Sequence, residues 1–241
     1  MHPWSSQSPF SLESITSPSA FKAKASKDPD LPSTREALTG PHAEEFWKSM
    51  DKEIASLMKM DTWDIVPRSS VPSHIQVVPG HWAHRIKRTP SGELLKYKSR
   101  WTCRGDLQQY EGNPYTTLVA WPTVRASLLL AATHGWVSHQ VDFENAFCQS
   151  PQPSENPLYM ELPQYYRPPG YEGQDIVLRM KKFIYGQVDS PRLFYEHLKR
   201  GMLELGFEPA ASDPCLFINK THKIMVLNYC DDQIWLAPTT N

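Results

Sequence analysis

Apolar and polar residues along the chain alternate with two different periods, which separate helical from strand-like segments. Residues 40–60, GPHAEEFWKSMDKEIASLMKM, carry apolar side chains at helical spacing with charged residues on the opposite face. Residues 1–33 are rich in Ser, Pro and Lys without such a period, and we interpret them as a tail or linker before one folded domain, residues 34–241. The inner stripe of the first helix is predicted to comprise Trp47, Met50, Ile54, Leu57 and Met58.

Two further helices are predicted from signals at their ends. WPTVRASLLLAATHG has Pro122 near its first position and Gly135 just past its end. SPRLFYEHLKRGMLELGF begins with Ser190 as the expected cap and Pro191 as the opening residue. The inner stripe of this helix is predicted to comprise Phe194, Leu198, Met202 and Leu205.

Two segments with a period of two predict a β-hairpin. HWAHRIKR and ELLKYKSRW flank the turn sequence TPSG. In the second strand Leu95, Tyr97 and Trp101 fall on one face, because successive side chains alternate across a strand. The opposite face is predicted to be a basic ribbon formed by Lys96, Lys98, Arg100 and Arg104.

The remaining segments complete a mixed α+β order. The strand-like ones are DTWDIVP, WVSHQVDF, LYMELP, IVLRMKKFIYG, PCLFIN, KIMVLNYC and QIWLA, and ENAF predicts a helical turn. Asp142 stands at the end of WVSHQVDF, and Asp231 with Asp232 separate the last two strands. We therefore predict an α+β fold in which two strand ends present carboxylates to one another.

Composition restricts the class of protein. A chain of 241 residues with 40% apolar residues is long enough for a proper core. MHPWSSQSPF does not resemble a signal peptide, and no apolar run approaches the roughly 20 residues of a membrane span, so we expect a soluble intracellular protein, cytoplasmic or nuclear. The four cysteines include no C-x-x-C pair and favour reduced core thiols over a zinc site or a disulfide framework.

The net charge of −1 hides an uneven distribution. Residues 28–64 contain nine acidic and four basic residues, whereas residues 81–104 contain seven Lys or Arg and one Glu. Local charge is what meets a phosphate backbone, so this basic patch indicates a polyanionic partner although the whole chain is nearly neutral.

The stretch NYCDDQIWL poses an electrostatic problem, because two adjacent carboxylates in a partly dry site repel each other. Magnesium resolves it by binding a few carboxylate oxygens while water or phosphate fills its other positions. Asp142, Asp231 and Asp232 on adjacent strands could hold two divalent ions about 3.5–4 Å apart, the arrangement used for in-line displacement at phosphorus. Taken singly, each feature also fits a solvated turn, a strand-end residue or a solvated strand face.

The order of motifs resembles a known family. V-D-F-E-N-A-F, Y-M-E-L-P, I-Y-G-Q-V-D-S-P-R-L-F-Y, G-F-E-P-A-A-S-D-P-C-L-F and Y-C-D-D follow one another, after EALTGPHAEEFWKSMDKEIASLMKMDTWDIVP. From about Asp28 onward this succession resembles the reverse transcriptase domain of Copia-type LTR retrotransposons. The resemblance implies the fingers and palm of a right-hand polymerase, an antiparallel palm sheet with helices on one side, and a missing thumb.

The resemblance also implies the metal and primer sites. Asp142, Asp231 and Asp232 correspond to the metal-binding catalytic carboxylates, with assistance from the backbone carbonyl of Phe143. Two Mg²⁺ ions are the expected cofactors, with Mn²⁺ as a substitute. The residues expected beside the primer end are Tyr229 and Cys230.

The nucleotide site is implied in the same way. Lys98 and Arg100 match basic residues that would contact the triphosphate as charge-assisted donors. Phe147 matches the aromatic residue that lies under the sugar and discriminates against a 2′-hydroxyl, and it equally fits an ordinary core aromatic.

The implied function is RNA-directed DNA polymerisation, that is, transfer of a nucleotide from a dNTP to a primer 3′-hydroxyl. The expected partners are an RNA or DNA template with a DNA primer, dNTP and other Pol polyprotein domains, with no membrane. The alternative is a catalytically decayed, truncated relic that only binds nucleic acid. A scaffold without any nucleic-acid role is a third hypothesis.

Three departures from the family pattern concern the site. Asp189 stands where the family usually has Gln, and an extra anion there would repel triphosphate unless the loop is reset. Gln187 could substitute only with such a shift. Residues 113–121 are shorter than the family pattern, and Cys230 replaces the usual Val.

Overall fold

The computed structural model describes residues 28–153, 155 and 157–238. The helices are α1 (Thr34–Thr39), α2 (Ala43–Lys59), α3 (Trp121–Thr133) and α4 (Ser190–Glu204). The strands are β1 (Trp63–Pro67), β2 (Val77–Val78), β3 (Gly80–Arg88), β4 (Leu94–Cys103), β5 (Val137–Asp142), β6 (Tyr159–Met160), β7 (Ile176–Met180), β8 (Glu208–Ala210), β9 (Asp213–Asn219), β10 (Ile224–Tyr229) and β11 (Asp232–Ala237). This order confirms the predicted α+β class.

Most of the predicted tail, residues 1–27, lies outside the described residues. Of the remainder, Asp30 accepts hydrogen bonds from the Arg88 side chain at 3.0 Å, and its carbonyl accepts one from the Ile86 amide at 2.8 Å. The next residues form α1, a short helix that the apolar pattern did not predict and that begins with a capping box at Ser33. Residues 28–33 therefore contact the folded part.

The predicted first helix is present as α2, but its buried stripe is rotated. Phe46, at 2% exposure, faces the core in place of Trp47, which is 38% exposed. Met58 is also solvent-exposed, at 52%. The buried set, Phe46, Met50, Ile54 and Leu57, follows the i, i+4 spacing more closely than the predicted stripe, so the helix packs through it.

The predicted hairpin forms from β3 and β4, which pair antiparallel with Trp82 opposite Trp101. α2 covers the inner face of the hairpin. Side chains of α2 accept hydrogen bonds from backbone amides at the free edge of β4. The Ser99 amide donates to Ser49 Oγ at 2.7 Å, and the Trp101 amide donates to Glu53 Oε1 at 3.3 Å. A β-strand edge covered in this way cannot pair with another chain.

Two predictions for this hairpin are wrong at its ends. Leu95 is 61% exposed and does not pack with Tyr97 and Trp101 as predicted. The covering helix α2 begins opposite Tyr97, whose ring lies 5.0 Å from that of His42, and does not reach Leu95. Arg104 lies beyond β4 and pairs with Asp106 at 2.7 Å instead of extending the basic ribbon.

A four-stranded sheet of order β1-β7-β6-β2 lies in the same apolar cluster as α2 and the hairpin. Its central strand β7 is almost fully buried, with Val177 and Leu178 at 0% exposure. Strands buried on both faces read as continuous apolar runs, which explains the sequence IVLRM.

The second sheet has the order β5-β11-β10-β9-β8, and every neighbouring pair is antiparallel. α3 and α4 contribute Ala131, Tyr195 and Met202 to its core. Asp189, not Ser190, is the N-cap of α4. Ser190 instead donates its hydroxyl to the Ile184 carbonyl at 2.8 Å. Within the described ranges, no helix has the length and apolarity needed to cross a membrane.

Candidate active site

A two-residue turn joins β10 to β11 at the predicted carboxylate pair. Tyr229 pairs with Asp232, so Cys230 and Asp231 form the loop. Cys230 has a φ of 54°, in the left-handed region that usually requires glycine at the first position of such a hairpin loop. A non-glycine residue held there stores conformational strain, a feature that clusters at functional sites.

The sheet register brings the distant aspartates together. Asp232 lies directly opposite Asp142 on β5, and the Phe143 amide donates to the Asp231 carbonyl at 3.1 Å. Residues directly opposite each other share one face of the sheet, with Cβ atoms about 4.5–5.5 Å apart. The three aspartates therefore lie at one end of the sheet, Asp231 in the turn and the other two directly opposite each other.

This acidic end is open to solvent. Asp142 and Asp232 are exposed, and Asp231 is half-buried. Throughout the described part of the chain, no three His, Cys, Asp or Glu side chains converge closely enough to hold a metal by themselves. Magnesium usually takes one or two protein carboxylates and completes its shell with water and substrate phosphate, so the cross-strand pair fits an ion that arrives with a triphosphate.

Phe147 lies beside the acidic end but inside an aromatic cluster. Asn145, at a φ of 49°, starts a short 3₁₀ turn, Ala146–Gln149, that directs Phe147 inward to 6% exposure. Its ring lies 4.6 Å from Tyr185 and 5.9 Å from Phe194, edge to face in both cases. Its assignment as the sugar-contacting residue stays a prediction.

The basic ribbon involves both strands of the hairpin. Arg85 lies opposite Lys98, and Lys87 lies opposite Lys96. Arg85 and Lys87 were not part of the predicted ribbon, although the period of two in HWAHRIKR could have revealed them. Like charges directly opposite each other destabilise a sheet, so this face carries a cost that a bound polyanion would relieve.

Burial and repulsion affect the basic side chains themselves. The pKa of Lys98 is lowered, first by burial and then by the nearby charges of Arg100 and Lys87. Arg100 places its guanidinium carbon 3.7 Å from the centroid of the Tyr185 ring. Beneath them, burial raises the pKa of Glu53, against the opposing influence of Arg100 and Lys98.

Asp189 is held by an amide network. It accepts a hydrogen bond from Gln187 Nε2 at 3.1 Å, and Gln187 Oε1 accepts one from Gln152 at 2.8 Å. Burial raises the pKa of Asp189, and the hydrogen bond from Gln187 opposes this shift. Gln187 and Asp189 line a cavity of about 220 Å³. Because the Gln187 side chain is hydrogen-bonded to Asp189, it does not take the place of the family's usual Gln.

Comparison with known proteins decides the family. The family described as "Reverse transcriptase (RNA-dependent DNA polymerase)" matches residues 60–239. The chain belongs to this reverse transcriptase family. Membership confirms the fold class predicted from the motifs, fingers and palm with an antiparallel palm sheet, and implies a general dependence on divalent metal. We call the five-stranded sheet the palm sheet.

The relatives of this reverse transcriptase domain are polyproteins of transposons, which confirms the Copia-type resemblance. It is 30% identical over 207 residues to the Retrovirus-related Pol polyprotein from transposon RE1 of Arabidopsis thaliana, covering 82% of this chain and 13% of that protein. It is 26% identical over 230 residues to the Pol polyprotein from transposon TNT 1-94 of Nicotiana tabacum, covering 92% and 17%. The reverse transcriptase domain thus spans less than one fifth of the length of these relatives.

Among solved structures, the reverse transcriptase domain is similar to one described as the foamy viral protease-reverse transcriptase dRH in complex with ds DNA. The sequence identity is 15% and the TM-score 0.39, and the match covers 80% of this chain and 26% of that one.

Proposed function

We propose that this chain carries the nucleotidyl-transfer site of an RNA-directed DNA polymerase, which extends a DNA primer from dNTPs on an RNA or DNA template. The observation that supports this most is the register that sets Asp142 opposite Asp232 with Asp231 in the adjoining turn. Strand-end carboxylates in a family of polymerases have one obvious use, which is to bind the metal that accompanies a triphosphate.

The donor set suits hard cations. Asp142, Asp231, Asp232 and the Phe143 carbonyl offer only oxygen atoms, which favours two Mg²⁺ ions, with Mn²⁺ as a substitute. When bound, such ions lower the pKa of the primer hydroxyl and neutralise the developing charge on the triphosphate. The three aspartates would hold these ions at the strand ends, because the sheet register fixes β5 and β11 relative to each other.

The basic ribbon supplies the complementary half of the site. Lys98 and Arg100 would donate charge-assisted hydrogen bonds to the triphosphate of the incoming nucleotide. Lys98 and Arg85 repel each other across the strands in the free protein. A bound phosphate would reduce this repulsion, and the free energy released would favour binding.

The remaining contacts concern the sugar and the primer. Phe147 would limit the space available to a 2′-hydroxyl, from a position fixed by its aromatic neighbours. Tyr229, which is 49% exposed, and Cys230 would lie against the primer end. Because the relatives are Pol polyproteins, other Pol domains are the expected covalent partners.

Primer extension on an RNA template tests the proposal. Wild-type protein and Asp231→Asn are compared with Mg²⁺ and with Mn²⁺, and Asp51→Asn, a change at an exposed residue of α2, serves as the matched control. We expect extension by wild type and the control, and a loss on the order of a thousandfold in Asp231→Asn, because a metal ligand contributes several kcal/mol to the transition state. Folded wild-type protein that binds duplex in a salt-dependent way yet extends no primer would instead support the non-catalytic relic.

A further inference from the structure

Tyr185 lies at the point where the basic ribbon meets the aromatic cluster under the acidic end. One face of its ring carries the Arg100 guanidinium at 3.7 Å, and its ring lies 4.6 Å from that of Phe147 at an interplanar angle of 69°. Tyr185 is thus in contact with both residues that the nucleotide site would use for phosphate and sugar. Tyr185 belongs to the motif I-Y-G-Q-V-D-S-P-R-L-F-Y, but the sequence pattern assigned it no role, since IYG reads as the end of a strand.

The backbone holds the ring in this position. The Cys103 amide, at the end of β4, donates to the Tyr185 carbonyl at 2.8 Å. The next residue, Gly186, has a φ of +83°, and a Cβ atom there would lie 2.2 Å from the Cys103 carbonyl oxygen. A Cβ atom at Gly105 would lie 2.1 Å from the Gly186 carbonyl oxygen. Only glycines permit this approach of the two segments, and the approach fixes Tyr185 beneath Arg100.

The surroundings keep the phenol neutral. Burial raises the pKa of Tyr185 to about 12; the charge of Arg100 opposes this shift, and that of Asp231 adds to it. The ring therefore lies within electrostatic reach of both the basic ribbon and the acidic turn. A neutral aromatic face attracts a guanidinium without neutralising it, so Arg100 keeps its full charge for an anionic ligand.

We propose that Tyr185 is a positioning residue for the incoming nucleotide. Its ring face orients Arg100 toward the triphosphate, and its edge supports Phe147 against the sugar. This inference rests on the proposed polymerase function and deepens it. An arginine on a strand loses much of its rotamer freedom when it stacks on a fixed ring, so less ordering remains to be done when phosphate binds.

Steady-state primer extension with dTTP on an RNA template, and with UTP as the competing ribonucleotide, tests the proposal. Tyr185→Phe keeps the ring and is expected to remain within about twofold of wild type. Tyr185→Leu removes the ring face, and the KM for dTTP is expected to rise about tenfold with little change in kcat. The preference for dTTP over UTP should fall in the same variant, because Phe147 loses the edge contact.

A double-mutant cycle separates positioning from general damage. If Tyr185 acts through Arg100, the double variant Tyr185→Leu with Arg100→Ala raises the KM no further than Arg100→Ala alone. Tyr195→Leu, which removes a buried tyrosine ring from the core of the palm sheet, is the matched control. It should lower thermal stability without changing the KM or the preference for dTTP.

Arg100→Lys keeps the test independent of whether Tyr185→Leu folds. Lysine retains the charge but not the planar group that stacks, so the KM should rise several-fold. An unchanged KM in Arg100→Lys, an unchanged KM in folded Tyr185→Leu, or additive effects in the cycle would overturn the role of Tyr185 while leaving the polymerase function intact. Absence of extension by wild type would overturn both.

Discussion

The β3–β4 hairpin and the palm sheet both leave like charges uncompensated, but with opposite signs. On the hairpin, Arg85 faces Lys98 across the strands, whereas on the palm sheet Asp142 faces Asp232. Within the described part of the chain, none of these four side chains forms an ion pair. The two surfaces therefore do not neutralise each other, and under the proposed function they would together complement a ligand that carries both phosphate and metal ions.

The two regions also differ in the hydrogen bonding of their buried polar groups. The palm sheet satisfies its buried polar groups, since Gln233 Nε2 donates to Asn228 and Gln233 Oε1 accepts from the Trp235 indole. Under the hairpin, the buried ring nitrogens His84 Nε2 and Trp101 Nε1 have no hydrogen-bond partner among the described residues. An unpaired buried polar group costs free energy, so these two ring nitrogens lower the stability of the hairpin layer.

The largest expected effect is a loss of stability in acid that arises from His84, the buried histidine under the hairpin. Burial lowers the pKa of His84 from 6.5 to about 4. A depressed pKa means that the folded state resists protonation, so stability is complete above pH 6.5 and decreases as the pH falls toward 4. We expect a loss of up to roughly 3 kcal/mol in the free energy of unfolding over this range.

Urea unfolding at several pH values, followed by tryptophan fluorescence, measures this loss. His84→Gln should remove that part of the acid sensitivity, whereas His139→Gln, at an exposed residue of the palm sheet, should not. Equal pH profiles for wild type and His84→Gln would show that the hairpin core does not differ from the palm core in this respect.

A smaller effect is expected from the basic ribbon. Lys98→Gln removes one member of a like-charge cross-strand pair, so the free protein should become more stable by about 0.2–1 kcal/mol. Binding to a template–primer duplex should weaken, and the slope of log affinity against log salt should decrease by about one.

Lys48→Gln is the control for this change, because Lys48 lies on the exposed face of α2 and pairs with Glu44. It should leave duplex binding and its salt slope unchanged. A salt slope that is unaffected in Lys98→Gln would exclude the ribbon from phosphate contact.

The smallest expected effect concerns Asp189, which lies between β7 and α4. Its raised pKa means that the folded state holds the proton more tightly, so stability is lost as the pH rises above 3.8. Asp189→Asn keeps an acceptor for Gln187 and should stabilise the protein at pH 7 by less than about 1 kcal/mol. Denaturation at pH 7 and pH 3.5 checks this, since the gain should vanish at the lower pH, and lower stability at pH 7 would contradict it.

Local pattern was sufficient to predict much of the fold. The hairpin, the position of DD between two strands and three of the helices were predicted correctly, because each depends on the spacing of neighbouring residues and on end signals such as Pro122 and Gly135. The ordered motifs also identified the family, since they preserve residue types and spacings along the chain.

Tertiary structure alone decided which distant residues meet. Two contacts join segments far apart in sequence: the pairing of Asp142 with Asp232 and the stacking of Arg100 on Tyr185. Packing between distant segments also decides that α2 buries Phe46 and exposes Trp47. Periodicity specifies the face of an element to within about one residue, but not what that face packs against. The residues of the candidate site come together because of the sheet register and the close approach of Gly105 and Gly186.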